Sequence, residues 1–221
     1  MTIETLDFAE PFFTVRFLKD EDSYQADGKT IVLNTSEEPL LIQDQKLEHL
    51  QSVIVKDTPV RNLKCAIVVE RFADHGSDSE LCANVREHWP SAFEIRQEER
   101  LRGVEHYMSP KASVGNIGLT MYHSASVPLK VGLHKDHAFC PVPGFREVHT
   151  QIVGVGMMQQ CLERDVETLY LEECMAPGYT HRPMYDATGN YPWHQYETIT
   201  ESIFMALEIL PKSAKFPGQE G

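Results

Sequence analysis

Six of the ten histidines in this chain lie in one stretch, at His123, His134, His137, His149, His181 and His194, with Asp136 and Glu147 among them. Neutral imidazole is the commonest protein ligand for zinc, iron, nickel and copper, and a carboxylate often completes the set. The cluster therefore points to a bound divalent metal. In a strand, alternate side chains share a face, so in REVHTQIVG (146–154) Glu147, His149 and Gln151 project together. Val148, Thr150 and Ile152 project the other way, toward a second layer. Three polar groups on a buried face are costly unless they find partners, and a metal supplies one. In YPWHQYET (191–198), His194 and Tyr196 share one face while Tyr191, Trp193 and Gln195 share the other. Either face suits the wall of a binding pocket, with apolar bodies and polar tips. His123 and the four histidines before it are read as structural. Cys140, near His137 and His149 in the chain, is the one cysteine placed to join the cluster, but nothing marks it as an activated nucleophile.

Glu147 and Gly154 are separated by six residues, and MAPGYTHRP supplies Pro177, Gly178 and His181. On these residues the segment resembles the cupin superfamily. That family's first motif has two histidines one residue apart, then a glutamate, then a glycine after six intervening residues. Its second motif has a histidine two residues beyond a Pro/Gly turn. Here His134 matches the first histidine, and the position of the second is held by Asp136 unless a bulge turns His137 inward. The resemblance implies a cupin-like jelly-roll β-barrel or sandwich with one divalent metal, Fe(II) favoured and Zn or Mn as alternatives. It implies His134, Glu147, His149 and His181 as ligands. Asp136 or His137 would carry a proton, and Gln151, Tyr191, Trp193, His194 and Tyr196 would contact substrate. The function expected is an Fe(II)-type oxygenase acting on a small polar metabolite. A redox-neutral isomerase, lyase or hydrolase is the alternative, and a non-catalytic metal-containing sensor is a third. A homodimer is expected by the same resemblance.

The elements needed to position these residues are mostly strands. Runs at Phe12–Leu18, Thr30–Leu33, Pro39–Ile42, Gln51–Val55 and Leu63–Val69 alternate with turn residues. From Val127 onward come Val127–Leu133, Phe145–Gln159, Glu167–Cys174, His194–Thr198 and Glu201–Leu210. The last run is apolar on both faces and belongs inside a sandwich or barrel. One helix is expected after Ser77, where Glu80 completes a capping box, Leu81, Val85 and Trp89 share a face, and Pro90 stops it. Phe93–Leu101 reads as a charged outer strand. The fold class is thus all-β with minor helix.

The chain has 221 residues and 42% hydrophobic composition, enough for a substantial core. Residues 1–115 read as an N-terminal β-rich region packing on or completing the barrel, 116–212 as the cupin-like metal-binding barrel, and 213–221 as a tail. A formal net charge of −13 and the lack of any Lys/Arg cluster exclude a nucleic-acid partner. No apolar run approaches the ~20 residues that span a bilayer, so a membrane partner is not expected. Five cysteines without a CxxC pair read as free thiols in a reducing, cytoplasmic compartment. The expected partner is a small-molecule substrate.

Overall fold

The computed structural model describes residues 2–125, 129–137, 144–211, 214 and 216. Cys140 and the start of the run expected at Val127 lie outside the described residues. In chain order the elements are β1 (Thr2–Leu6), β2 (Thr14–Asn34), β3 (Leu40–Ile42), β4 (Gln45–Leu47), β5 (Ser52–Glu70), α1 (Asp78–His88) and α2 (Ala92–Arg96). There follow β6 (His106–Met108), β7 (Ala112–Val114), β8 (Ile117–Ser124), β9 (Arg146–Val153), β10 (Gly156–Cys161), β11 (Leu169–Met175), β12 (Trp193–Thr198) and β13 (Ser202–Ile209). The protein is antiparallel all-β with minor helix, as expected.

Three sheets form the layers. The first has the order β1-β2-β5-β3-β4, the second β6-β8-β13-β9 with β7 also on β8, and the third β11-β10-β12. The second sheet is central. Ile203, Met205 and Leu207 of β13 join Leu119 and Met121 of β8 and Val148 and Ile152 of β9 in one core. Phe13, Val15, Ile31, Leu33, Ile67 and Val69 of the N-terminal layer fill the other side of that core. The opposite face of the central sheet, with Tyr122, Phe204 and Ala206, packs on Met158, Met175 and Tyr196 of the third sheet. The double-sided apolar pattern of Glu201–Leu210 is thereby explained.

The third sheet is stitched to the central one. Beyond β12, isolated bridges pair Lys130 with Glu197 and His134 with His194. After β11 the chain crosses to β9, where the Gln151 and His181 amides donate to the carbonyls of Tyr179 and His149. These links give the two sheets the character of a jelly-roll sandwich around an internal space.

Several sequence expectations change, and the described part of Val127–Leu133 forms an isolated bridge at Lys130 rather than a strand. The runs at Phe12–Leu18 and Thr30–Leu33 are the two ends of β2, and those at Gln51–Val55 and Leu63–Val69 are the ends of β5. The two long strands fold back so that Ile31 pairs with both Val69 and Ile54, enclosing a separate small core with Leu18, Leu40 and Val60. Phe145–Gln159 is split at Gly154, whose φ of +73° is left-handed and whose added Cβ would lie 2.1 Å from the Glu201 carbonyl oxygen. Ile117–Ser124, not recognised as a strand, is buried throughout its length. Phe93–Leu101 is not a strand but α2 followed by a short 3₁₀ turn at Glu99–Leu101, because Ser91 caps it and Gln97 ends it in the left-handed region. The helix after Ser77 forms as expected, with the Glu80 amide donating to Ser77 Oγ at 3.1 Å.

The fold makes a graded prediction for urea unfolding. Leu207→Ala, at a fully buried site between two layers, should cost about 2–5 kcal/mol. Ser77→Ala, which removes only a cap, should cost about 1 kcal/mol. Equal losses would mean that β13 does not carry the core as described.

Candidate metal centre

His134, His137 and His194 each offer a ring nitrogen, and the three atoms lie within 4.8 Å of one another. They come from the segment beside β12 and from β12 itself, brought together by the His134–His194 bridge. His134 Nδ1 is 3.0 Å from the Gly132 carbonyl oxygen, and His194 Nδ1 is 2.9 Å from that of Pro192. A carbonyl only accepts, so in both rings Nδ1 carries the proton and Nε2 keeps its lone pair. His137 Nε2 is 3.1 Å from His194 Nε2. On its other side, His137 Nδ1 is 3.1 Å from Glu147 Oε2, an ion-pair distance bent away from good hydrogen-bond alignment. Lone pairs facing each other at that separation repel unless a proton or a cation lies between them.

The donor set fits a divalent metal. Nitrogens about 2.0–2.1 Å from an ion lie about 2.9 Å apart at a right angle and about 3.3 Å apart in a tetrahedron. The His137–His194 separation falls between the two. Holding Nδ1 with an oxygen acceptor so that Nε2 faces inward is the usual outer support of a metal-binding imidazole.

Glu147, His149 and His181 form the layer behind. His149 Nε2 is 2.7 Å from Glu147 Oε1, so both carboxylate oxygens face imidazole nitrogens. Burial works against charge on Glu147, but the His149 and His137 rings outweigh it and hold the carboxyl well below the usual range. His181 Nδ1 donates to the Arg182 carbonyl at 2.7 Å, while its Nε2 accepts from the His149 amide at 2.9 Å. Both nitrogens of His181 are thus committed. Burial lowers its pKa to about 3, with the nearby His149 ring adding to the effect.

Around the cluster lies a small cavity lined on one side by Tyr122, Phe204 and Met158, and at its rim by Arg96 and Arg100. It offers about 40 Å³ to the centres of water molecules, room for about three at the ~10–15 Å³ each needs. Arg96 and Arg100 share one carboxylate, Glu98, each at 2.6 Å. Arg100 also donates to the Val131 carbonyl at 2.9 Å. The Glu147 carboxylate in the cavity lining also acts on Arg96, so two guanidiniums and two carboxylates meet here. His106 lies beneath, stacked on Tyr122 at 5.0 Å, and burial together with the two arginines keeps it neutral, its pKa well below the usual value.

Against the sequence expectations, the structure draws together His134, His137 and His194 and sets the others around them. His137 turns inward, while Asp136 is exposed to solvent, so Asp136 is not placed to carry a proton in the cavity. Glu147, His149 and Gln151 do share the inner face of β9. Glu147 and His149 reach the cavity wall, but Gln151 accepts from the Tyr196 hydroxyl at 2.8 Å and is fully buried. The set of His134, Glu147, His149 and His181 does not converge on one point: His181 is saturated and Glu147 bridges two rings. His194 and Tyr196 line the cavity. Trp193 lies on the other face of β12, its ring 5.7 Å from the Arg164 guanidinium, and is not part of the cavity lining. Tyr191 packs on His137 with ring centroids 4.4 Å apart and supports that ring from behind. Arg96 and Arg100 escaped notice because their segment read as an outer strand. The run of charges in EIRQEERLR was the available signal, and only the helical turns aim it inward.

Neither protein-family models nor curated protein sequences match the chain. The solved structures similar to it include proteins described as cupins. A cupin 2 conserved barrel domain protein from Leptotrichia buccalis is 10% identical, covering 95% of this chain and 88% of that one, with a TM-score of 0.34. AerE from Microcystis aeruginosa is 12% identical over 95% and 97%, TM-score 0.33. An oxalate decarboxylase is 10% identical over 92% and 70%, TM-score 0.36. Superpositions this loose carry no chemistry across. Sheet order and the internal histidine cluster describe the class on their own terms: an antiparallel β-sheet protein with a candidate metal centre inside it.

Acid should unfold the metal-free protein by protonating buried rings. His181 and His194 have pKa values lowered to about 3 and about 4, chiefly by burial, while in the unfolded chain they titrate near ~6.5. Their neutral forms favour the fold fully above that value, and the contribution is lost as pH falls from about 6.5 toward 3. Each group adds up to about 1.4 kcal/mol per pH unit to the slope. Thermal melts in chelator should show Tm falling through this window, and His181→Gln should flatten the dependence. A Tm constant from pH 7 to 4 would contradict the assigned protonation states.

Proposed function

We propose that this protein is a metal-dependent enzyme acting on a small carboxylate-bearing molecule, with Fe(II)-type oxygenation as its reaction. The observation that carries the metal is the convergence of three imidazoles, two of them with Nδ1 held by carbonyls so that Nε2 keeps its lone pair. A divalent ion held by His134, His137 and His194 would supply activation of O₂ if iron, or Lewis-acid polarisation of the substrate if zinc or manganese. The remaining roles belong to the chain. Glu147 orients His137 and, through His149, offers a path for a proton out of the cavity. Arg96 and Arg100 orient an anionic group, since charge-assisted hydrogen bonds from guanidinium to carboxylate are the strong and directional kind. Tyr122, Phe204 and Met158 keep bulk water from the reacting atoms. The cavity's size limits the substrate to a few heavy atoms.

A redox-neutral lyase, isomerase or hydrolase is favoured by one feature of the donor set. With Glu147 occupied by two histidines, three neutral imidazoles leave the ion's charge undiminished, as in three-histidine catalytic zinc sites.

Elemental analysis of the purified protein tests the centre directly. His134→Ala and His194→Ala should each lower the metal content several-fold, while His181→Ala should keep it despite lower stability. Full metal in both cavity variants, or its loss only in His181→Ala, would overturn the ligand set. Oxygen uptake with small mono- and dicarboxylates by the iron-loaded protein separates the two chemistries.

Arg100→Gln should weaken binding of such a carboxylate about 10–100-fold by calorimetry, the worth of one charge-assisted hydrogen bond. Unchanged affinity would remove the arginines from substrate recognition.

A further inference from the structure

Strand β8 separates two environments. Its even residue Tyr122 faces the histidine cavity, while Leu119 and Met121 face the N-terminal layer and α1. His123, by alternation, lies on the α1 side. There it meets Cys82 of α1 and Glu201 of the turn between β12 and β13, with one ligand atom from each within 4.8 Å of the other two.

We propose that Cys82, His123 and Glu201 form a second metal site, distinct from the histidine cavity, for a thiophilic divalent ion such as zinc. His123 is fully buried. Its Nε2 is 2.9 Å from Glu201 Oε1, and its Nδ1 has no hydrogen-bond partner among the described residues. An ion taken on the Nε2 side leaves Nδ1 to carry the ring's proton, so what supports the ion is the convergence of the three ligand-bearing side chains. Cys82 is 1% exposed, and burial, with Glu201 and Asp78 adding, pushes its thiol up to about 12. Such a thiol is neither reachable by a substrate nor ionised, which removes a nucleophilic role. An incoming ion changes that balance: the metal–sulfur bond forms as the S–H proton leaves to solvent past Glu201, which is 27% exposed.

Charge and ligand type both suit the ion. A doubly charged metal with one thiolate, one carboxylate and one neutral imidazole is electrically neutral, as a buried site requires. The nearest cation is Arg86, whose Nη1 is 3.8 Å from Glu201 Oε1, and whose side chain, 43% exposed, is free to turn to water. Tetrahedral ligands about 2.0–2.1 Å from zinc lie about 3.3 Å apart, so the His123–Glu201 contact must open by a few tenths of an ångström. The turn bearing Glu201 can supply that. Water is the simplest fourth ligand, entering on the exposed side of Glu201. The site would tie α1 to the central sheet across chain segments far apart in sequence.

Cobalt(II) added to the chelator-stripped full chain is the test, because only a thiolate ligand produces the near-ultraviolet sulfur-to-cobalt charge-transfer band. The band should appear with the wild-type chain, persist in His134→Ala, and vanish in Cys82→Ser. Glu201→Gln, a change at a part-exposed turn that leaves the core intact, should weaken zinc binding at least tenfold. No band in the wild-type chain, a band unchanged in Cys82→Ser, or unaltered zinc affinity in Glu201→Gln would each overturn the proposal.

Discussion

Strand β13 is buried on both faces from Ser202 to Glu208, and the rest of the molecule is arranged around satisfying that strand. Its odd residues Ile203, Met205 and Leu207 require an apolar layer on one side, which β2 and β5 provide. Its even residues Phe204 and Ala206 require another, which β10 and β12 provide only in part. The space left over is the histidine cavity. A sheet that is covered completely on one face and incompletely on the other leaves an internal site in which polar groups are held away from bulk water, and there each must find a partner within the protein.

That requirement explains the protonation pattern. Main-chain carbonyls of Gly132 and Pro192 take the Nδ1 protons of two cavity histidines, leaving each Nε2 its lone pair, that of His194 facing His137 Nε2 at 3.1 Å. Glu147 is divided between His137 and His149, and His181 is consumed by the Arg182 carbonyl and the His149 amide. The division between histidines that face the cavity and histidines that support it is therefore made by hydrogen-bond acceptors on neighbouring strands. It is not a property of the histidines themselves. Arg96 and Arg100 line the cavity beside a core of aromatic rings, and the carboxylates of Glu98 and Glu147 both act on the Arg96 charge there.

Much of this was legible in the chain. The capping box at Ser77, the face shared by Glu147, His149 and Gln151, the double-sided pattern of Glu201–Leu210 and the β-rich histidine segment all follow from local periodicity, which the backbone geometry imposes over a few residues. Residue types alone also raised the expectation of a metal site, for which the cavity supplies a candidate ligand set. Tertiary structure decided which of them gather. His137 rather than Asp136 turns inward, His194 joins through a bridge to a segment some sixty residues earlier, and His181 withdraws. It also decided that the charged run after Phe93 coils into helical turns and brings Arg96 and Arg100 to the cavity. The physical reason is one of range. Periodicity is set by neighbours along the chain, whereas a lone pair's freedom depends on which carbonyl or carboxylate lies three ångströms away, and those acceptors arrive from strands distant in sequence.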